Sequence, residues 1–180
     1  DAAATAFILE HAESRVSVVV ARLKEVARAA LLRTSARPVM LLSGGDDTEA
    51  AALGWQSYET ILAATRGTEW QRPRDEWVSI ALNYTSGTTG NPKGALYHHR
   101  GAYLNALGNV ITFGLIPDSV YLWTLPMFHC NGWTYPWAVT AVGARHICLP
   151  AVDPAEIFRL IDEQRVTHLC AAPVVLTMLI

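Results

Sequence analysis

Arg145-His146-Ile147-Cys148-Leu149, then Asp153-Pro154-Ala155-Glu156 opening a helix with Ile157, Leu160 and Ile161 on one face, then Val166-Thr167-His168-Leu169-Cys170 is the stretch that decides the fold class. The first and last pieces are short and place Ile147, Leu149, Val166 and Leu169 among their residues, so they read as strands. The middle piece has a side-chain cap, a proline in the first turn and a glutamate three residues after the cap. Strand, helix and strand in that order predict a right-handed parallel crossover. The class is α/β, with a mostly parallel sheet and flanking helices.

Working outward, the same alternation recurs. Residues 120–125 (Val-Tyr-Leu-Trp-Thr-Leu) and 78–84 (Val-Ser-Ile-Ala-Leu-Asn-Tyr) read as strands. Tyr103, Leu107, Val110, Ile111 and Gly114 mark one face of a helix that Pro117 ends. Toward the N-terminus the pattern predicts a helix over 2–12, a strand over 16–20, an Ala-rich helix to about 33, a strand over 39–42 ended by Ser43-Gly44-Gly45-Asp46-Asp47, and a short helix over 58–64. A polar linker covers 65–76. We read 1–180 as one partial domain with a weak internal boundary near 66–76.

Composition excludes several classes. Fourteen Lys and Arg against sixteen Asp and Glu leave a formal charge of −2, which offers no footprint for nucleic acid. Hydrophobic residues make up 51% and charged residues 17%, too apolar for a disordered chain. No apolar run approaches the roughly 20 residues of a spanning helix. Cys130, Cys148 and Cys170 are odd in number and none lies in a CxxC pair, so a reducing, cytoplasmic setting fits better than a disulfide framework.

The segment richest in chemistry is Tyr84-Thr85-Ser86-Gly87-Thr88-Thr89-Gly90-Asn91-Pro92-Lys93-Gly94. It follows an apolar strand and gathers Thr and Ser hydroxyls, glycines and a lysine. Glycines let backbone N–H groups approach an anion, hydroxyls donate to phosphate oxygens, and lysine adds a point charge. By composition alone a polar turn suits it equally well. It is not a Walker A loop, because Pro92 stands where the second glycine should be. Its order, from Leu82 to Lys93, closely resembles the phosphate loop of the acyl-adenylate-forming (AMP-binding) superfamily.

The resemblance extends along most of the chain. Tyr97-His98-His99-Arg100-Gly101 looks like the segment that follows the phosphate loop in acyl-CoA synthetases. Leu125-Pro126-Met127-Phe128-His129-Cys130-Asn131-Gly132 looks like the next family motif, which sets an aromatic and a histidine beside the acyl substrate. Val166 to Pro173 resembles the strand and turn before the adenine-binding segment. The stretch from Tyr121 to His129 looks most like ligases for short- or medium-chain acids, and the whole like the large N-terminal domain of such an enzyme.

That resemblance implies ATP, Mg²⁺ and coenzyme A as cofactors and a small carboxylic acid as substrate. Thr85, Ser86, Gly87, Thr88, Thr89 and Gly90 would hold the β- and γ-phosphates, with Lys93 adding positive charge and Thr88 meeting the metal. His129 and Lys93 would be the catalytic groups, His129 as an orienting residue beside the carboxylate. His129 and Trp133 would form the acid pocket, although packing is the commoner role for Trp133, Tyr135, Trp137 and Trp123. His98 and His99 read as structural or surface residues, and Asp75-Glu76 as a solvated linker pair. A zinc site from His129, Cys130, His146 and Cys148 lacks the paired short spacings of a structural zinc site. A Cys130 thiol nucleophile would rest on sequence adjacency alone.

The adenine-stacking Tyr-Gly-x-Thr-Glu segment, the ribose aspartate and the C-terminal lysine of the family are not in this sequence. With Asp1 at one end and an apolar helical pattern at the other, the chain reads as an interior slice of a longer enzyme, inactive alone and without the small C-terminal domain. The weighed alternative is a non-catalytic nucleotide- or phosphate-binding module. Cut core faces leave homo-oligomer formation open.

Overall fold

A computed structural model describes residues 1–67, 69–85 and 92–180. The chain divides into two compact units, Asp1–Arg72 with Tyr84–Gly94, and Pro73–Asn83 with Ala95–Ile180.

In the first unit, helix α1 (Ala2–His11) starts from Asp1, whose carboxylate accepts from the Ala4 amide at 2.8 Å. Strands β1 (Val16–Val20), β2 (Val39–Ser43) and β3 (Gln56–Ser57) form a parallel sheet in that order. Between β1 and β2 the chain makes a 3-10 turn, Ala21–Leu23, and helix α2 (Lys24–Leu31). The single Ala-rich helix expected here is therefore two pieces, because Leu23 (φ −106°, ψ 4°) leaves the helical region at the joint. Val19, Ala27 and Met40 form the core between sheet and helix. Helix α3 (Asp47–Ala52) stands where the sequence pattern predicts only a turn, and α4 (Tyr58–Ala64) follows. Asp46 caps α3 by accepting from the Glu49 amide at 2.7 Å, and Glu49 also pairs with Lys24. The Asp-x-x-Glu spacing is the capping signal that marks this helix in the sequence.

Strands β4 (Ser79–Thr85) and β5 (Lys93–His98) form a two-stranded sheet. Strand β5 replaces part of the expected loop over 85–94. Helix α5 (His99–Phe113) begins at His98, whose Nδ1 accepts from the Gly101 amide at 3.0 Å. It stops at Gly114, which takes φ 66°, so the helix ends at a left-handed glycine ahead of Pro117.

The second unit centres on β6 (Val120–Trp123), in a sheet ordered β7 (Arg145–Cys148), β6, β8 (His168–Leu169). Both outer strands run parallel to β6, so helix α8 (Pro154–Gln164) crosses over β6 from one edge to the other. All four β6 residues are buried, as a continuous apolar run in a doubly covered strand requires. Their side chains alternate. Tyr121 and Trp123 pack with Ala106, Tyr135, Ala138 and Val139, while Leu122 packs with Ile157, Leu160 and Val175 of α8 and α9 (Pro173–Met178). Asp153 caps α8, accepting from the Ala155 and Glu156 amides at 2.8 and 3.4 Å.

One expected face is corrected. On α5, Tyr103 and Ile111 are 63% and 78% exposed, and the buried positions are Ala102 and Ala106. Val110 and Phe113 continue that inward stripe. The inner stripe has the same helical period but begins one residue earlier, on alanines that let α5 pack closely on α7 (Tyr135–Ala141).

Candidate active site

The motif Pro126-Met127-Phe128-His129-Cys130-Asn131-Gly132 leads from β6 into a short segment, α6 (Cys130–Trp133), with unusual backbone. Five consecutive residues have positive φ: Cys130 48°, Asn131 43°, Gly132 53°, Trp133 54° and Thr134 64°. This is a left-handed turn. For L-residues with a Cβ that conformation costs roughly 1–2 kcal/mol each. Asparagine tolerates it best, so Cys130, Trp133 and Thr134 together cost about 3–6 kcal/mol, which surrounding contacts must offset.

Those contacts come from two sides. Beneath the turn lies the Trp123 ring. A Cβ on Gly132 would stand 2.7 Å from Trp123 Cζ3, so only glycine allows the turn to sit on the indole. Trp123 is held in turn, because its Nε1–H donates to His146 Nδ1 at 2.9 Å, with the two ring planes 8° apart. Burial lowers the His146 pKa, which favours the neutral ring that can accept this bond. From α5, Asn105 Nδ2 donates to Thr134 Oγ1 at 2.7 Å. Asn109 Nδ2 donates to the Trp133 carbonyl at 2.7 Å and to Thr134 Oγ1 at 3.0 Å.

The pinned turn closes a cavity of about 370 Å³ with β5 and α5. Leu96, Tyr97 and His98 form one wall, Ala102 and Asn105 the second, and Cys130, Trp133 and Thr134 the third. Burial, with the Cys130 thiol close by, pushes the Tyr97 phenol above its ordinary value, so Tyr97 offers a neutral O–H. Tyr121, under the same region, makes no hydrogen bond through its hydroxyl among the described residues. Burial first, and the Cys170 thiol second, raise its pKa strongly.

The sequence-derived site residues fall as follows. His129 is exposed just ahead of the turn, and its side chain makes no hydrogen bond among the described residues. Trp133 is half exposed and lines the cavity; Tyr135 and Trp123 are buried in the core, and Trp137 is packed against it. Thr85 and Lys93 close the described ends of the glycine-rich segment, both exposed, with Thr85 Oγ1 donating to the Lys93 carbonyl at 3.4 Å. Ser86, Gly87, Thr88, Thr89 and Gly90 lie outside the described residues. Among the described residues no group of three or more His, Cys, Asp or Glu side chains could hold a metal ion. Sequence reasoning missed Tyr97, Asn105 and Thr134 as cavity residues. The Asn105–Asn109 spacing of four on one helix was the available signal.

Comparison with known proteins identifies the family. A family model described as AMP-binding enzyme matches residues 1–180. A peroxisomal acetate/butyrate–CoA ligase of Arabidopsis thaliana is 42% identical over 194 residues, covering 100% of this chain and 34% of the relative. A 2-methylpropanoate–CoA ligase of Humulus lupulus is 40% identical over 190 residues, covering 99% and 34%. The crystal structure of ATP-bound MatB from Rhodopseudomonas palustris superposes with a TM-score of 0.73 at 26% identity, covering 97% of this chain and 33% of that one. The chain thus spans about a third of the length of the relatives it matches. By fold, motif and full-length family match, it belongs to the AMP-binding enzyme family.

Proposed function

We propose that the chain is the acid- and phosphate-binding part of an AMP-forming acid–CoA ligase that activates a short- or medium-chain carboxylic acid. The observation that carries this reading is the cavity, where residues after the phosphate-loop strand meet residues after His129. Its volume falls in the range of small-ligand sites, and its lining mixes apolar walls with a few polar groups. The named substrates of the two relatives, acetate or butyrate and 2-methylpropanoate, are acids of this class.

In the proposed reaction a carboxylate oxygen attacks the α-phosphorus of ATP, the bond to pyrophosphate breaks, and acyl-adenylate results. The coenzyme A thiol then displaces AMP at the acyl carbon. Charge accumulates on the departing pyrophosphate, and donors fixed in advance lower that barrier. Lys93 supplies an ammonium there, and Thr85, Ser86, Gly87, Thr88, Thr89 and Gly90 supply hydroxyl and amide donors. Mg²⁺, with Thr88 as a protein contact, adds charge neutralisation when bound. His129 orients the carboxylate, and Trp133 walls the acyl chain.

The 180 residues alone are proposed to be inactive in adenylation, because adenine- and ribose-binding motifs lie outside them. Cytoplasmic residence is proposed on the cysteine pattern; no described helix is long and apolar enough to cross a membrane. The test is a panel of carboxylic acids offered to the full-length enzyme with ATP, with and without coenzyme A. Acid-dependent release of AMP and pyrophosphate is expected, with thioester formed only when coenzyme A is present. Formation of ADP, or acid-independent turnover, would overturn the proposal. Acid-dependent ATP–pyrophosphate exchange by the isolated chain would overturn its inactivity.

A further inference from the structure

We infer that Asn109 is a positioning residue for acid selection. It acts from outside the cavity by pinning the left-handed turn that carries Trp133. The inference rests on the acid-cavity reading proposed above and adds to it a residue that does not line the cavity. Asn109 is half-buried on α5, one helical turn beyond Asn105. Its Nδ2 donates to the Trp133 carbonyl at 2.7 Å, a backbone group that no neighbouring side-chain change can remove, and to Thr134 Oγ1 at 3.0 Å.

The turn needs such a pin. Trp133 takes φ 54° and Thr134 φ 64°, conformations that side chains larger than glycine leave when released. Trp133 has half of its surface open, so core packing alone does not fix it. Its orientation as a cavity wall then follows from its backbone, and its backbone is held by Asn109. Asn105 shares the Thr134 hydroxyl, but it also faces the cavity, so its substitution would mix two effects. Asn109 isolates the backbone effect.

The test is made in the full-length enzyme with straight-chain acids from acetate to octanoate. A hydrophobic wall discriminates one methylene by roughly 10–200-fold, provided that it is rigid. Asn109→Ala removes both hydrogen bonds. Its expected effect is about a tenfold compression of the kcat/KM ratio between preferred and disfavoured acids, carried by KM for the acid, with KM for ATP unchanged. Asn109→Asp keeps the size, loses the amide donor and is expected to compress the ratio as much.

Equal loss for every acid, which a merely structural role would give, overturns the inference, and so does an unchanged profile in both variants. Trp133→Ala reads the cavity assignment separately. An unchanged acid profile there overturns the assignment itself. A changed profile there, with uniform loss in both Asn109 variants, overturns the Asn109 role alone.

Discussion

Replacing Gly132 by alanine probes the seat of the left-handed turn, and its cost can be worked from two separable parts. The first is conformational: φ 53° charges a Cβ about 1–2 kcal/mol. The second is steric: the new Cβ stands 2.7 Å from Cζ3 and 3.0 Å from Cη2 of Trp123. The indole cannot swing aside, since it is 4% exposed, packed on Tyr121 and tied to His146. Overpacking against a fixed partner typically costs about 1–3 kcal/mol. The sum is about 2–5 kcal/mol. Gly143 supplies the internal standard. It takes φ 71°, and a methyl added there would meet nothing within 4 Å, so Gly143→Ala bears the conformational part alone. Thermal midpoints of both variants in the full-length enzyme should therefore differ, with Gly132→Ala lower. Trp123→Phe deletes the two clashing atoms, so in that background Gly132→Ala should cost no more than Gly143→Ala. Equal midpoints for the two glycine variants in the native background would refute the steric argument.

Three further outcomes follow from the same contacts. His146 is held neutral by burial, so its folded pKa lies below the unfolded value of about 6.5. Its stabilising contribution is complete above that pH and is lost as pH falls through it, because the unfolded chain takes up the proton first. Melts from pH 8 to pH 5 (about one and a half units either side of the imidazole midpoint) should show a decline that His146→Gln shows less steeply. Lys93→Ala in the full-length enzyme should lower pyrophosphate exchange by about 10²–10³, the usual cost of one preorganised donor at developing charge, and an unchanged rate would favour a non-catalytic module. Asp153→Ala should cost about 1 kcal/mol in a denaturant titration, because the Ala155 and Glu156 amides lose their cap, with Asp153→Asn close to the original.

The α/β class was legible because the crossover unit signals itself locally. Asp153-Pro154-x-Glu156 starts a helix whatever surrounds it, and Val120-Tyr121-Leu122-Trp123 is too uniformly apolar for anything but a doubly covered strand. The inner face of α5 differs from the sequence expectation for a physical reason. Hydrophobicity favours Tyr103 and Ile111 over Ala102 and Ala106, whereas the close approach of α7 selects for small volume. The two-residue strand β3 is set by pairing with β2, a neighbour distant in sequence, which no local pattern carries. Of the cavity lining, Trp133 could be named from sequence order, whereas His129 does not line the cavity, and Tyr97, Asn105 and Thr134 join it only when three elements meet.

The left-handed turn shows why that last part was hidden. Cys130-Asn131-Gly132-Trp133-Thr134 contains one glycine and one asparagine, too few to predict five consecutive positive φ values. What stabilises the conformation is tertiary: an indole floor fixed by His146 on one side, and two asparagine amides on the other. Backbone held against its intrinsic preference by contacts on both sides points to a constraint on position, because ordinary right-handed backbone would cost less. Here the position so fixed is that of Trp133 at the cavity wall, one turn after His129. The strain and the motif therefore overlap at Cys130, Asn131 and Gly132, one found through conformation and the other through residue order.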